Sequence, residues 1–221
     1  MTARMLLILA LIVIAGACYA TPSTLIWIPS TDIQSDRTWH LGIDNYFTPT
    51  DGFRSATDVG VTYGFAKGRA EAGIDYLGGQ DSPFFLNAKY LLLTETDKLP
   101  AVAVGAFNFG FKKNVTDYNL LYALGSKTFG PVRLTAGYCH GNEDALGSDP
   151  NMFLAGIDGC LSKDKKWWGA VDYQSGDNAF GALSFGVSYA FAPNVSVIFG
   201  YDMYNAAGAD DTFTTQLDIN F

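Results

Sequence analysis

The sequence predicts an all-β protein: a transmembrane, antiparallel, up-and-down β-barrel of about twelve strands, within a range of roughly ten to fourteen. Three observations lead there. From Thr38 onward, apolar and polar residues alternate with a period of two in one segment after another, the mark of strands with unlike faces. The apolar parity of these segments holds no Asp, Glu, Lys or Arg. No helical period or capping pattern competes within them.

Composition bounds the answer. The chain has 221 residues, of which 24 are Gly, 14% aromatic and 16% charged. That is one large domain leaning toward glycine-rich, tightly packed strands. Residues 1–20 read as a secretory signal peptide. Arg4 gives the positive start, and the apolar run Met5–Ala17 is shorter than the roughly 20 residues a spanning helix needs. Cleavage after Ala17 or Ala20 fits. Ala15-Gly16-Ala17-Cys18 also weakly resembles a lipidation sequence, without the usual Leu ahead of the Cys. Loss of residues 1–20 removes Arg4 alone among charged groups, and the net charge of −8 becomes more negative. This excludes nucleic acid as an expected partner.

Residues 21–37 carry Trp27 and Pro29 in Ser23–Asp36. They read either as a periplasmic lead-in or as an extra edge element. Residues 38–221 form the barrel, with strands expected over 38–47, 56–66, 69–77, 84–93, 100–111, 117–127, 131–140, 151–161, 167–174, 179–191, 195–204 and 212–221. Their apolar parity runs through Trp39, Leu41, Ile43; Val59, Val61, Tyr63; Ile74, Tyr76; Leu86, Tyr90; Leu120, Tyr122, Leu124; and on to Phe199 and Tyr201. Strand five is apolar on both parities at its start, so its facing stays open. A Lys or Arg facing lipid at the midplane costs about 2–4 kcal/mol, so a bilayer enforces such exclusion. A soluble core also excludes charge, but it gives no reason for the aromatics at strand ends, Tyr76, Tyr138, Trp167 and Tyr173, which suit interfacial girdles.

The opposite parity is expected to line the lumen. Its charged residues are Asp58, Arg69, Glu71, Asp75, Lys89, Lys127, Arg133, Asp158, Asp172 and Asp202, with Asp44 and Asp218 beside them. Acids outnumber bases. The outer loops, such as Gly141–Pro150, average longer than the inner turns, such as Ala66–Gly68, as membrane barrels have them. Strand 1 should pair with strand 12 to close the cylinder.

The last stretch reads D-T-F-T-T-Q-L-D-I-N-F, with Phe213, Leu217, Ile219 and the terminal Phe221 on one parity. This ending resembles the C-terminal signal of bacterial outer-membrane β-barrels. Over residues 38–221 the chain resembles small porin-like members of that class. The resemblance implies outer-membrane lipid and the barrel-assembly machinery as partners.

The function expected is passive passage of small solutes, with mild cation preference from the acidic lumen. A reading of another class is a structural barrel presenting its outer loops to a partner or polysaccharide. A lipid-modifying enzyme built on His40 is a third, but the sequence shows no Ser–His pair with an orienting partner, so no enzyme is expected. Two histidines and the two cysteines that remain after loss of residues 1–20, without close spacing, give no expected metal site, and no cofactor is expected. Cys139 and Cys160 fall near opposite rims of neighbouring strands. They are expected as free thiols facing the lumen.

Overall fold

The computed structural model describes residues 23–49, 54–79 and 81–221. The proposed signal peptide and Cys18 lie outside the described residues. Alternation is converted directly into strands: β1 (Trp39–Thr48), β2 (Arg54–Phe65), β3 (Ala70–Leu77), β4 (Phe84–Leu93), β5 (Ala101–Phe109), β6 (Leu120–Phe129), β7 (Val132–His140), β8 (Asn151–Cys160), β9 (Trp167–Gln174), β10 (Ala182–Ala192), β11 (Val195–Tyr204) and β12 (Thr212–Asn220). Each pairs antiparallel with its sequence neighbours, and β12 returns to β1, so the twelve close into a barrel. Closure leaves no strand edge for water or another chain to pair with. At the seam Leu41 faces Ile219 and Ile43 faces Leu217. Backbone bonds between Trp39 and Phe221, at 2.7 and 2.9 Å, extend the ladder to the last residue.

Outward side chains are apolar and exposed, among them Leu86, Leu134, Phe185 and Phe199. A water-soluble monomer does not expose a continuous apolar band of this kind. Aromatics ring both ends of it. Trp39 packs on Tyr63 and Trp167 on Tyr189 at the rim bearing Phe221, here the lower rim. Tyr76 packs on Phe84 and Tyr201 on Phe213 at the upper rim. The upper connections are the longer ones, and one holds a single helical turn, Glu143–Leu146, capped by the Asn142 side chain.

One strand departs from the expected facing, and a second, whose facing the sequence leaves open, is set by a bulge. In β6 the inward residues are Leu120, Tyr122, Leu124 and Ser126, all buried, and Leu121 is exposed outward. The expected parity of this strand is therefore inverted. Both of its faces are apolar near Leu120–Leu124, so alternation alone does not choose between them. In β5 the register slips between Ala106 and Phe109, and Asn108 takes a positive φ of 52°. This bulge keeps Phe107 packed on the interior cluster while Phe109 sits opposite the outward Leu86.

Residues 23–37 are neither a lead-in below the barrel nor an edge element. A closed barrel offers no edge; residues 23–34 lie inside the lumen, and the chain leaves it through the exposed residues 35–37. Residues 23–30 fold back as a tight hairpin, with Leu25 N–H on the Ile28 carbonyl at 2.9 Å and Thr24 bridged to Pro29. Leu25 and Ile28 are fully buried and Ile26 is 2% exposed. Burial of each such side chain contributes roughly 1.5–3 kcal/mol, which is the main reason the segment stays in. The wall makes room with glycine. A Cβ on Gly156 would meet Leu25 at 2.5 Å, and one on Gly186 would meet Ile26 at 3.0 Å.

Lower down, the backbone of Gln34 and Ser35 lies against Gly64 of β2. A Cβ there would fall 2.2 Å from the Ser35 carbonyl oxygen, a contact that backbone cannot relieve cheaply. Gly64→Ala is expected to destabilise the folded barrel by about 1–3 kcal/mol, read as a lowered thermal midpoint in detergent micelles. An unchanged midpoint would show that the segment is not seated against β2.

Candidate functional site: a plugged lumen with an acidic cavity

The lumen site is built from two halves, the inserted segment and the polar parity of the wall. Asp172 of β9 is buried, and its Oδ2 accepts the N–H groups of Ile26 at 2.7 Å and Trp27 at 3.0 Å. One carboxylate thus satisfies both amides at the hairpin tip, where a buried unpaired N–H would cost about 1–3 kcal/mol. Gln216 of β12 donates to the Ile26 carbonyl at 2.9 Å. The Trp27 indole donates to the Phe180 carbonyl at 2.8 Å and its ring meets Tyr46 and Tyr204 edge-on.

Two ion clusters hold the rest of the segment. Lys89 of β4 lies 3.1 Å from Glu71 of β3 and donates to the Ser23 carbonyl at 3.0 Å. Glu71 also accepts the Gln34 N–H at 2.6 Å. On the other side, Arg133 of β7 reaches Asp32 at 2.7 Å and Asp158 of β8 at 2.9 Å. Asp158 further accepts the Trp168 indole N–H at 3.0 Å. Thr31 bonds to Ser126. These contacts place Glu71, Lys89, Arg133, Asp158 and Asp172 in the lumen as anchors of the segment.

Asp58, Asp75 and Asp202 also face inward. Asp202 is fully buried and accepts the Thr212 hydroxyl at 3.2 Å. Arg69 and Lys127 are elsewhere. Arg69 is in the turn before β3, with its guanidinium on the Leu91 and Leu92 carbonyls and over the Tyr90 ring. Lys127 shares the outward parity of β6 at the lower rim and pairs with Glu95 at 3.1 Å. Long basic side chains are tolerated on the outer face at that level because they reach the interface. Although slight burial opposes it, bonds from the Thr128 N–H, Lys127 and the Thr128 hydroxyl hold Glu95 below the usual carboxylate range.

The segment stands between two cavities. The upper one, about 770 Å³, is lined by Trp27 and Pro29 of the segment and by His40, Asp44, Asp58, Asp75 and Asp218 of the wall. The lower one, about 860 Å³, is lined by Thr31–Ser35 of the segment together with Ser126, Arg133 and Ser196. His40 bonds to Asp218 at 2.9 Å. Cys139 is a buried free thiol. Cys160 is disulfide-bonded, so the expectation of two free thiols holds for Cys139 alone. Among the described residues no group of His, Cys, Asp and Glu is placed to hold a metal ion.

Alternation hid the segment that organises this site. Its one sequence signal was an apolar Leu25-Ile26-Trp27-Ile28 run whose side chains had no assigned place, ahead of a wall rich in inward glycines.

A closed, even-stranded antiparallel barrel, apolar and aromatic-girdled outside and polar within, defines the outer-membrane β-barrel fold class. Among solved structures the fold is similar to the KdgM porin, with a TM-score of 0.54 at 9% identity over 82% of this chain and 98% of that one. It is similar to the NanC porin as well, with a TM-score of 0.52 at 14% identity over 82% and 98%. A structure of KdgM porin in complex with disordered oligogalacturonate gives a TM-score of 0.50 at 12% identity over 81% and 99%. No family model and no curated protein sequence matches the chain.

Proposed function

We propose that this protein is a bacterial outer-membrane channel for passive passage of small solutes, mildly cation-preferring and narrowed by its own residues 23–37. The observation that carries the preference is the wall of the upper cavity. Asp44 is directly opposite Asp58 across β1 and β2, and Asp75 follows on β3. None of the three forms an ion pair with Lys or Arg among the described residues. Unpaired carboxylates along a passage draw cations and repel anions. The porin fold of the neighbours supports a conduit. In this reading the lower rim faces the periplasm, and Phe213, Leu217, Ile219 and Phe221 serve assembly.

Planar-bilayer recording tests the reading. The purified chain should give steady, salt-dependent current steps, with a reversal potential of cation-selective sign in a potassium chloride gradient. Asp44→Asn, Asp58→Asn and Asp75→Asn combined should move that potential toward zero. Anion selectivity in the wild type would overturn the preference. The filled lumen supports a second reading, a structural barrel presenting loops such as Gly141–Pro150. Silence both of the intact chain and of a chain lacking residues 21–37 would favour it.

A further inference from the structure

The upper cavity has two unlike walls. On one side Asp44, Asp58 and Asp75 stand on adjacent strands. Asp75 leans over Gly60, where a Cβ would lie 2.4 Å from its carboxylate oxygen. Like charges held opposite each other cost stability, and the barrel wall does not need them. Two carboxylates here keep acceptor capacity. Asp218 is 4% exposed and lines the cavity, with His40 on its Oδ1 at 2.9 Å and the Ser196 hydroxyl beside the carboxylate. Its Oδ2 and the Oδ1 of Asp58 are buried without a hydrogen-bond partner among the described residues.

The other side is aromatic. Phe107 meets Tyr122 at 5.7 Å, and Tyr118 meets Phe180 at 5.0 Å between ring centroids. All four rings line the cavity. Ring faces attract cations and shelter flat apolar bodies. A hard divalent ion takes six to eight oxygens at about 2.3–2.6 Å and has no use for such a wall. The cavity volume of about 770 Å³ falls within the range of small-molecule sites.

We infer that the upper cavity is a binding site for an amphipathic organic cation, an ammonium group carried on a flat apolar body. The ammonium faces the carboxylates of Asp58, Asp75 and Asp218, and the apolar body lies against Phe107, Tyr118 and Phe180. The inference deepens the passage reading and rests on it for calling this ligand a permeant.

The test is isothermal titration calorimetry of the full mature chain in detergent micelles. Phenethylammonium is expected to bind, and phenylacetate, the same body with the opposite charge, is not. Asp58→Asn with Asp75→Asn should weaken phenethylammonium binding about tenfold or more, which corresponds to about 1.4 kcal/mol. Phe107→Ala, which leaves every carboxylate in place, should weaken it as well. Equal binding of the two probes, or full affinity in the Asn variant, would overturn the site. The assay needs no current, so the two readings separate. Binding, with both the intact chain and the chain lacking residues 21–37 silent in the bilayer, keeps the site and removes passage. Cation-selective current with no phenethylammonium binding removes the site and keeps passage.

Discussion

A chain lacking residues 21–37 is expected to conduct several-fold more current per channel than the intact protein. The segment holds the upper and lower cavities apart, with none of the described residues lining both. Without it, the inward glycines at 156, 186 and 200 leave a continuous water-filled space along β8, β10 and β11. Barrels of this strand number lie between filled eight-stranded cylinders and open sixteen-stranded pores, so a single inserted segment decides which behaviour appears. A second variant covers the case in which the shortened chain fails to fold. Asp172→Ala keeps the whole wall and removes the one acceptor that serves the Ile26 and Trp27 amides. It should raise the time spent in high-conductance states. Unchanged conductance in a folded deletion variant and in Asp172→Ala would show that the segment does not limit the passage.

Arg133→Ala is the substitution expected to cost most stability, about 3–5 kcal/mol for breaking a buried pair on one side only. Arg133 is the sole Lys or Arg partner of Asp158 and of Asp32 among the described ion pairs. Asp158 is 3% exposed, and the Trp168 N–H alone would then serve it. Removing the stranded charge should recover much of the loss. In Arg133→Met with Asp158→Asn, the amide oxygen still accepts from Trp168 and no carboxylate is left uncompensated. Thermal unfolding in detergent micelles should rank the wild type first, the double variant next and Arg133→Ala last. If Arg133→Ala unfolds with the wild type, Asp158 is not held as a buried charge. An Arg133→Ala barrel that folds should also show looser seating of residues 31–35, because Asp32 loses its partner.

The strands were legible because a bilayer imposes one rule along their whole length. Outside β5 and β6, the apolar, charge-free parity of each strand is the one the structure puts outward. The facing of β6 was inverted and that of β5 was left open for the same reason. Where the lumen is filled rather than wet, inward residues become apolar too, as Leu120, Tyr122, Leu124 and Phe107 do, and the contrast between faces vanishes. Lys127 followed β6 to the outside. Arg69 departed differently, since a turn residue has no parity and its guanidinium found carbonyls at the rim. Among the lumen charges, sequence could place Asp58 and Asp75 on the inner face. It could not tell those left uncompensated from those, such as Glu71 and Asp158, committed to an ion pair.

Local periodicity by itself determined the all-β class, the strand number and the meeting of the first and last strands. Each of those needs only which side of a ribbon tolerates charge. Only tertiary structure decided what occupies the interior. The contacts that seat Ile26 against Gly186, Trp27 against Phe180 and Asp32 against Arg133 join residues a hundred or more positions apart in sequence. A period of two carries no information about which distant segment fills the space between walls.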